Sequence, residues 1–212
     1  MFVKAAGHHI LVDTGGGRTI LQNINALNIE PATLEAAVLS HGHIDHAGGL
    51  RALLQMSKKK LDIIAHPAIW ERKYHKNKKT GKLTYVGIPG NREHLESLGA
   101  RFNLTPDPTW ITEDIVTSGE EPMITEFESV PESKLTGMAK VHTVLGGTHL
   151  FSATAEQLGS TISALNEIGV KRLGVSHCTG LNVATRLAGE FGEKFFHYNA
   201  GTVVNFENQP NA

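Results

Sequence analysis

The sequence predicts an α/β protein in which helices cover the faces of β-sheet. Three observations predict it. Strand-like apolar runs alternate with helical patterns along the 212 residues, an order that places helices against sheet. The pattern at 155–168 carries Leu158, Ile162, Leu165 and Ile168 at the spacing of a core-facing helical stripe. A histidine-rich tract directly follows the buried-looking run Ala36-Ala37-Val38-Leu39 and precedes a helical pattern, which reads as a strand–loop–helix unit.

In chain order, a strand at 9–13 leads into Asp13-Thr14-Gly15-Gly16, and a helix follows at 19–27. A strand at 36–40 ends on the histidine tract, and the next helical pattern runs 47–56. Strands at 61–65 and 83–86 precede a helix at 92–98. A strand at 141–145 ends in a Gly-Gly turn, and the helix at 155–168 closes on Gly169 as a C-cap. The strand at 172–176 leads into His177-Cys178-Thr179-Gly180, followed by a helix at 183–191 and a strand at 194–198. No internal repeat and no Pro/Gly/Ser linker divides the chain, so residues 1–212 read as a single domain with one sizeable core.

Composition narrows the function classes. A formal net charge of −1 gives no reason to expect nucleic acid or an anionic membrane as partner. The single cysteine, Cys178, excludes an internal disulfide and fits a reducing cytosol. It reads as a small packed residue beside the site rather than as a metal thiolate. No basic-flanked apolar leader and no membrane-length apolar stretch is present, so a cytoplasmic, soluble protein is expected; oligomeric state is left open.

The most informative segment is Ser40-His41-Gly42-His43-Ile44-Asp45-His46-Ala47-Gly48-Gly49. In an extended turn, residues two apart project to one side, so His41 and His43 are placed to reach one cation. Asp45 and His46 fall where the next helix starts and point to a second position, with Asp45 expected to act as ligand and N-cap. Gly48 and Gly49 let helix and loop approach closely. Imidazoles with a carboxylate suit zinc, one or two ions, with manganese, iron(II) or magnesium as alternatives. The plain alternative, a His-rich surface tract, does not explain its place between strand and helix.

This motif resembles the signature of the metallo-β-lactamase superfamily. The run Ile10-Leu11-Val12-Asp13-Thr14-Gly15-Gly16 is similar to that superfamily's early strand and Asp-Thr-Gly turn, and 172–180 to its last ligand strand. Gly146-Gly147-Thr148-His149-Leu150, His177-Cys178-Thr179-Gly180 and Ala200-Gly201-Thr202-Val203-Val204 resemble one subgroup. Its members are metal-dependent hydrolases or dihydropterin–ribofuranosylaminobenzene phosphate synthases. The resemblance implies an αββα four-layer sandwich, with metals at one end held by strand-terminal loops. It implies Asp13 as the partner that orients a metal ligand, and His177 as a ligand alongside Asp45 and His46. It further implies a small-molecule substrate, His149 as a catalytic or substrate contact, and His66 of His66-Pro67 in the substrate pocket.

Two departures from the pattern stand out. Only residues 1–9 precede the Asp-Thr-Gly strand, so the first sheet looks shortened at one edge. Family members also carry a mid-chain strand and a Gly-Cys-Ser-His-like turn whose His completes the first metal's ligand set. Here no His lies between Glu128 and Val141. Catalytic zinc sites usually have three protein ligands plus water, so His41 and His43 need a replacement, either His149 or His142. One complete and one impaired metal position are expected.

The remaining histidines, His8, His9, His75, His94 and His197, read as surface or edge residues. Lys58-Lys59-Lys60 ends a helix, where cations complement the dipole. The run from Arg72 to Lys79 reads first as a solvated loop; the resemblance places it in a lid-like region near the pocket mouth, facing an anionic small molecule. The expected chemistry is hydrolysis, with Asp45 taking a proton from a metal-bound water whose hydroxide attacks an ester or phosphoester. The alternatives are a pterin-diphosphate-dependent synthase-like transferase and a metal-binding homologue without turnover.

Overall fold

The computed structural model describes residues 1–120 and 141–206. Residues 126–140, where the sequence lacks the family's ligand-bearing turn, lie outside the described residues. The chain forms two compact units, Met1–Glu120 and Glu121–Ala212.

The first unit is built on a five-stranded sheet of β1 (Phe2–Ala5), β2 (His8–Val12), β3 (Ala36–Val38), β4 (Leu61–Ala65) and β7 (Ala100–Leu104), in that order. The first pair is antiparallel and the other neighbours are parallel. The connections carry α1 (Arg18–Ala26), α2 (Ile44–Ala47), α3 (Leu50–Ser57) and α4 (Arg92–Ser97). Parallel strands laid down in sequence order, with right-handed crossovers, put these helices on one face. Ile24, Leu53, Leu54 and Leu95 accordingly pack with Leu11, Ala37, Leu61 and Ile63 in one core. The neighbouring residues Ile10, Ala36 and Ile64 are buried on the other face, as the two-residue period of a strand requires. Burial on both faces explains why β2, β3 and β4 read largely as apolar runs rather than alternating ones.

Two small antiparallel pairs complete this unit, β5 (Tyr74–Lys76) with β6 (Leu83–Tyr85), and β8 (Thr109–Trp110) with β9 (Val116–Thr117). Several boundaries differ from expectation. The residues before the Asp-Thr-Gly strand do supply an edge strand, β1, paired with β2 from Phe2↔Leu11 to Ala5↔His8. The single helix expected at 47–56 is two, because the chain turns at Gly48-Gly49 and the first helix begins three residues earlier.

The second unit holds a parallel sheet in the order β10 (Thr143–Gly147), β11 (Arg172–Ser176), β12 (Phe195–His197). Helices α5 (Ala155–Glu167) and α6 (Leu181–Phe191) connect the strands. Leu173, Val175, Leu187 and Phe191 form its core with Ile162, and Leu158 and Leu165 pack against it. The expected stripe on α5 therefore holds except at Ile168. That residue is the C-cap and is exposed, since the chain leaves the helix there through Gly169 at φ 76°. Among the described residues, no helix is long and apolar enough to cross a membrane.

This topology positions the chemistry. Val12, Val38 and Ile64 lie in register across β2, β3 and β4, so Asp13, the Ser40–His46 loop and His66 all leave the same, carboxyl-terminal edge of the sheet. In the second unit, β10 and β11 likewise end together, at Gly147 and Ser176. His149 and His177 follow those ends. Carboxyl ends of parallel strands are where α/β sheets carry ligand sites.

Candidate metal centre

The Asp13-Thr14-Gly15 turn holds the histidine loop at its backbone. The Thr14 N–H and hydroxyl both donate to the His46 carbonyl, at 2.6 and 3.0 Å, and Gly49 N–H donates to the Gly15 carbonyl at 2.9 Å. Thr14 is fully buried. A Cβ on Gly49 would overlap the Thr14 carbonyl oxygen, and one on Gly42 would overlap that of Ile69. Both glycines are therefore fixed by close backbone approach, as expected for Gly49.

Asp13 sits at the junction with φ 58°, a conformation Asp and Asn tolerate better than most residues. Its Oδ1 accepts from the Ser40 N–H at 2.8 Å, and its Oδ2 accepts from the Ser40 hydroxyl and from His46 Nδ1, each at 2.8 Å. Burial pushes the Asp13 carboxyl up, but the hydrogen bonds from His46 and Ser40 outweigh it and hold the group below the usual carboxylate range. The same bond raises His46 above an ordinary imidazole.

These bonds fix the tautomers. An ionised Asp13 only accepts, so Ser40 spends its one proton there. Its Oγ, 3.0 Å from His41 Nδ1, then accepts from that ring. His41 Nε2 is left with its lone pair and lies 3.0 Å from His43 Nδ1. His46 donates from Nδ1, which turns its Nε2 toward Asp45 Oδ2 at 3.6 Å. Burial first, and then the positive charges of His46 and His43, lower the His41 pKa to about 4. His41 is thus neutral at ordinary pH, the state a metal requires.

Two donor pairs result: His41 Nε2 with His43 Nδ1, and His46 Nε2 with Asp45 Oδ2. A tetrahedral zinc with bonds of roughly 2.0–2.1 Å holds neighbouring donors about 3.3 Å apart. The observed 3.0 and 3.6 Å bracket that value. One expectation fails: Asp45 is not an N-cap. His43 occupies the N-cap of α2 with extended backbone and no side-chain cap bond, and Asp45 lies in the first turn. Its Oδ2 lies 3.6 Å from His46 Nε2.

In the second unit the His149 and His177 turns are locked together. Thr148 N–H and hydroxyl meet Thr179 Oγ1 at 3.2 and 3.1 Å, and His149 N–H donates to Cys178 Sγ at 3.2 Å. Gly147 leaves room for that sulfur, since a Cβ there would stand 2.7 Å from it. Cys178 is half-buried and accepts this hydrogen bond. Both His149 and His177 adopt positive φ, 54° and 51°, so each imidazole is presented from a sharply turned backbone. His142 is at the other end of β10, where its carbonyl accepts from Lys171 and Arg172. Five strand residues separate it from His149, roughly 16 Å of rise. The two candidate replacements, His142 and His149, therefore leave opposite ends of the same strand.

His66 caps the short 3-10 turn Pro67–Trp70: its Nδ1 accepts from Ala68 N–H at 3.1 Å, and its Nε2 lies 3.6 Å from Glu120 Oε2. His8 and His9 pair with Glu35 and Thr33 at 2.8 and 2.7 Å, at the opposite edge of the sheet. Sequence reasoning gave no part to Ser40 or Thr14. The available signal was their position, each one residue from a candidate site residue at a strand end.

The Asp13 network yields a direct test. Asp13→Asn keeps the backbone conformation but replaces an anionic acceptor, so zinc affinity is expected to fall 10–100-fold with the fold retained. Competition with a chelating dye measures it.

The sequence model of the metallo-beta-lactamase superfamily matches residues 1–151. A 7,8-dihydropterin-6-methyl-4-(beta-D-ribofuranosyl)-aminobenzene-5'-phosphate synthase of Methanocaldococcus jannaschii is 30% identical, over 93% of this chain and 84% of its own. A solved metal-dependent hydrolase of the beta-lactamase superfamily superposes with TM-score 0.72 at 18% identity, covering 94% of this chain and 89% of that one. A diphosphatase from the PhnP family gives 0.56 at 14% identity, over 97% and 83%. At such identities these two structures speak for the α/β fold alone.

Proposed function

The chain belongs to the metallo-beta-lactamase superfamily, and from that premise we propose that it is a metal-dependent hydrolase acting on an ester or phosphoester of a small molecule. The observation that carries this reading is the pair of donor sets, His41/His43 and Asp45/His46, oriented by one Asp13–Ser40 network. We assign His177 to the same cation as Asp45 and His46, because its strand-terminal His-Cys-Thr-Gly turn resembles the superfamily's last ligand strand. His41 and His43 then hold a second cation more weakly, with His149 a candidate for the third imidazole. The family model runs from residue 1 to residue 151, across the boundary between the two units, which supports reading them as one catalytic domain.

Zinc is the first choice for this donor set, and a bound divalent cation supplies an acidified water and stabilises negative charge developing on the substrate. The chain's own residues do the rest. Asp13 keeps the proton on His46 Nδ1, so that Nε2 stays a donor, and Ser40 does the same for His41. Asp45, exposed and outside the cap, takes up the proton released by the attacking water. His66 and His149 line the substrate side in this reading.

The test is hydrolysis of phosphodiester, carboxylic ester and lactone substrates by chelator-stripped protein, with and without added zinc or manganese. Turnover that returns with metal in at least one class is the expected result; equal turnover with and without metal would sink the reading. A second reading, a synthase-like transferase, is favoured by the 30% identity to the Methanocaldococcus jannaschii synthase. It predicts consumption of a pterin diphosphate only when the arylamine is supplied. A third, metal binding without turnover, draws on the absence of His between Glu128 and Val141.

A further inference from the structure

We propose that Phe151 and Leu181 form an apolar wall of the substrate site, so that the substrate carries a hydrocarbon acyl or alkyl chain beside its scissile bond. The inference rests on the metal-hydrolase reading for the place of the chemistry, and adds which part of the substrate the second unit selects. Leu181 is 77% exposed and Phe151 62%. Single exposed apolar residues scattered over a surface are ordinary. Two that flank one glycine, beside a candidate ligand turn, are not scattered.

The locked turns after β10 and β11 place both side chains around Gly180. Phe151 lies against that glycine: a Cβ there would stand 3.0 Å from Phe151 Cβ and 3.3 Å from its Cα. Gly180, at φ 76° and ψ 151°, is the N-cap of α6, and Leu181 is the first residue of that helix. The Phe151 N–H donates to the Cys178 carbonyl at 3.3 Å, and the preceding Leu150 is buried in the core. The backbone that carries the wall is thus fixed on both sides. The Phe151 ring packs edge to face with the His149 imidazole, centroids 5.5 Å apart. The wall is therefore continuous with the His149 ring, and Leu181 extends it from the turn that presents His177.

The chemistry of the wall decides what it can hold. Neither side chain has a hydrogen-bonding atom, so the wall offers contact and the removal of apolar surface from water. An acyl or alkyl chain gains from that alone, by about fourfold in affinity for each fully buried methylene. A heterocycle edged with N–H and C=O groups needs polar partners that these two side chains do not supply. A wall already held in place also loses little freedom when the chain settles on it. The plain alternatives are that Phe151 only covers Gly180, or that the patch meets a second copy of the protein.

Two ligand series separate these readings. Straight-chain alcohols from propanol to hexanol, which carry no metal-binding head, are titrated into the isotope-labelled full chain, zinc-loaded and chelator-stripped. The proposal predicts saturable amide shifts at Phe151, Gly180 and Leu181 in both metal states, with affinity rising about threefold per methylene. F151S/L181S replaces only exposed side chains and loses that gain, whereas L27S, at an exposed leucine of the first unit, keeps it. Equal gains in F151S/L181S and wild type would overturn the proposal, as would shifts spread evenly over the surface. So would shifts at Phe151 and Leu181 that follow protein concentration alone, the mark of contact between copies. Straight-chain alkyl hydroxamates then add a metal-binding head to the same chains. Failure of the metal reading would appear there, as hydroxamate binding no tighter with zinc than without, while the alcohol series still behaves as predicted.

Discussion

His46→Ala will lower turnover on any substrate the wild type hydrolyses by about a thousandfold, and will remove the tighter metal equivalent. The side chain has two roles at once: Nδ1 satisfies Asp13 at 2.8 Å and Nε2 stands 3.6 Å from Asp45 Oδ2. Its loss takes a donor away and leaves the Asp13 carboxylate with Ser40 alone. The fold survives, because Thr14 grips the His46 carbonyl rather than its ring. An unchanged circular dichroism spectrum with lost metal and lost turnover is the expected pattern. His75→Ala, on the exposed strand β5, serves as the control with wild-type metal binding. Retained turnover in His46→Ala would remove this residue from the machinery.

Gly49→Ala is expected to cost about 2–4 kcal/mol of stability, large for one methyl group. The backbone there is ordinary, with φ −84° and ψ −4°, so conformational strain is not the cause. The added Cβ would overlap the Thr14 carbonyl oxygen and stand 2.9 Å from Ile20 Cγ2. Both neighbours belong to the packed junction that holds the metal loop against the Asp-Thr-Gly turn. Zinc affinity should fall along with stability. Gly159→Ala, inside α5 with open space around its Cβ, should instead stabilise by about 0.5–1 kcal/mol. Urea unfolding of the two variants gives opposite signs if close approach, not glycine content, is what matters.

The sheet interior was legible in the sequence because burial on both faces leaves continuous apolar runs. The strands at 61–65 and 172–176 match residue for residue. Strand β7 was missed: Ala100–Leu104 alternates apolar residues with Arg101 and Asn103, the pattern of a half-buried edge strand, and lacks the continuous apolar run that marks the interior strands. β6 was expected at 83–86 and forms at Leu83–Tyr85, whereas its partner β5 was missed; both are exposed throughout, so their pairing rather than any burial pattern makes them strands. The break between α2 and α3 follows from two glycines whose effect depends on what the backbone meets.

The metal motif was legible because four potential ligands in six positions have no structural explanation. The orienting network was only half legible. Asp13 could be placed by resemblance, whereas Ser40, which links Asp13 to both His41 and His46, is an ordinary serine until strand register brings it opposite Asp13. The misplaced N-cap has the same origin. Helix α2 begins two residues earlier than an Asp45 cap would require, with His43 at the N-cap, which moves Asp45 from the cap into the first turn. His149 was the better placed of the two replacements in sequence, after an apolar strand and a Gly-Gly turn, and β10 puts it and His142 at opposite ends.

An equilibrium zinc titration of chelator-stripped protein measures the central claim most directly. One tight equivalent per chain, weakened by His46→Ala and by His177→Ala, followed by a second and much weaker one, is the predicted result. No tight equivalent at all, or two of equal affinity, would contradict it.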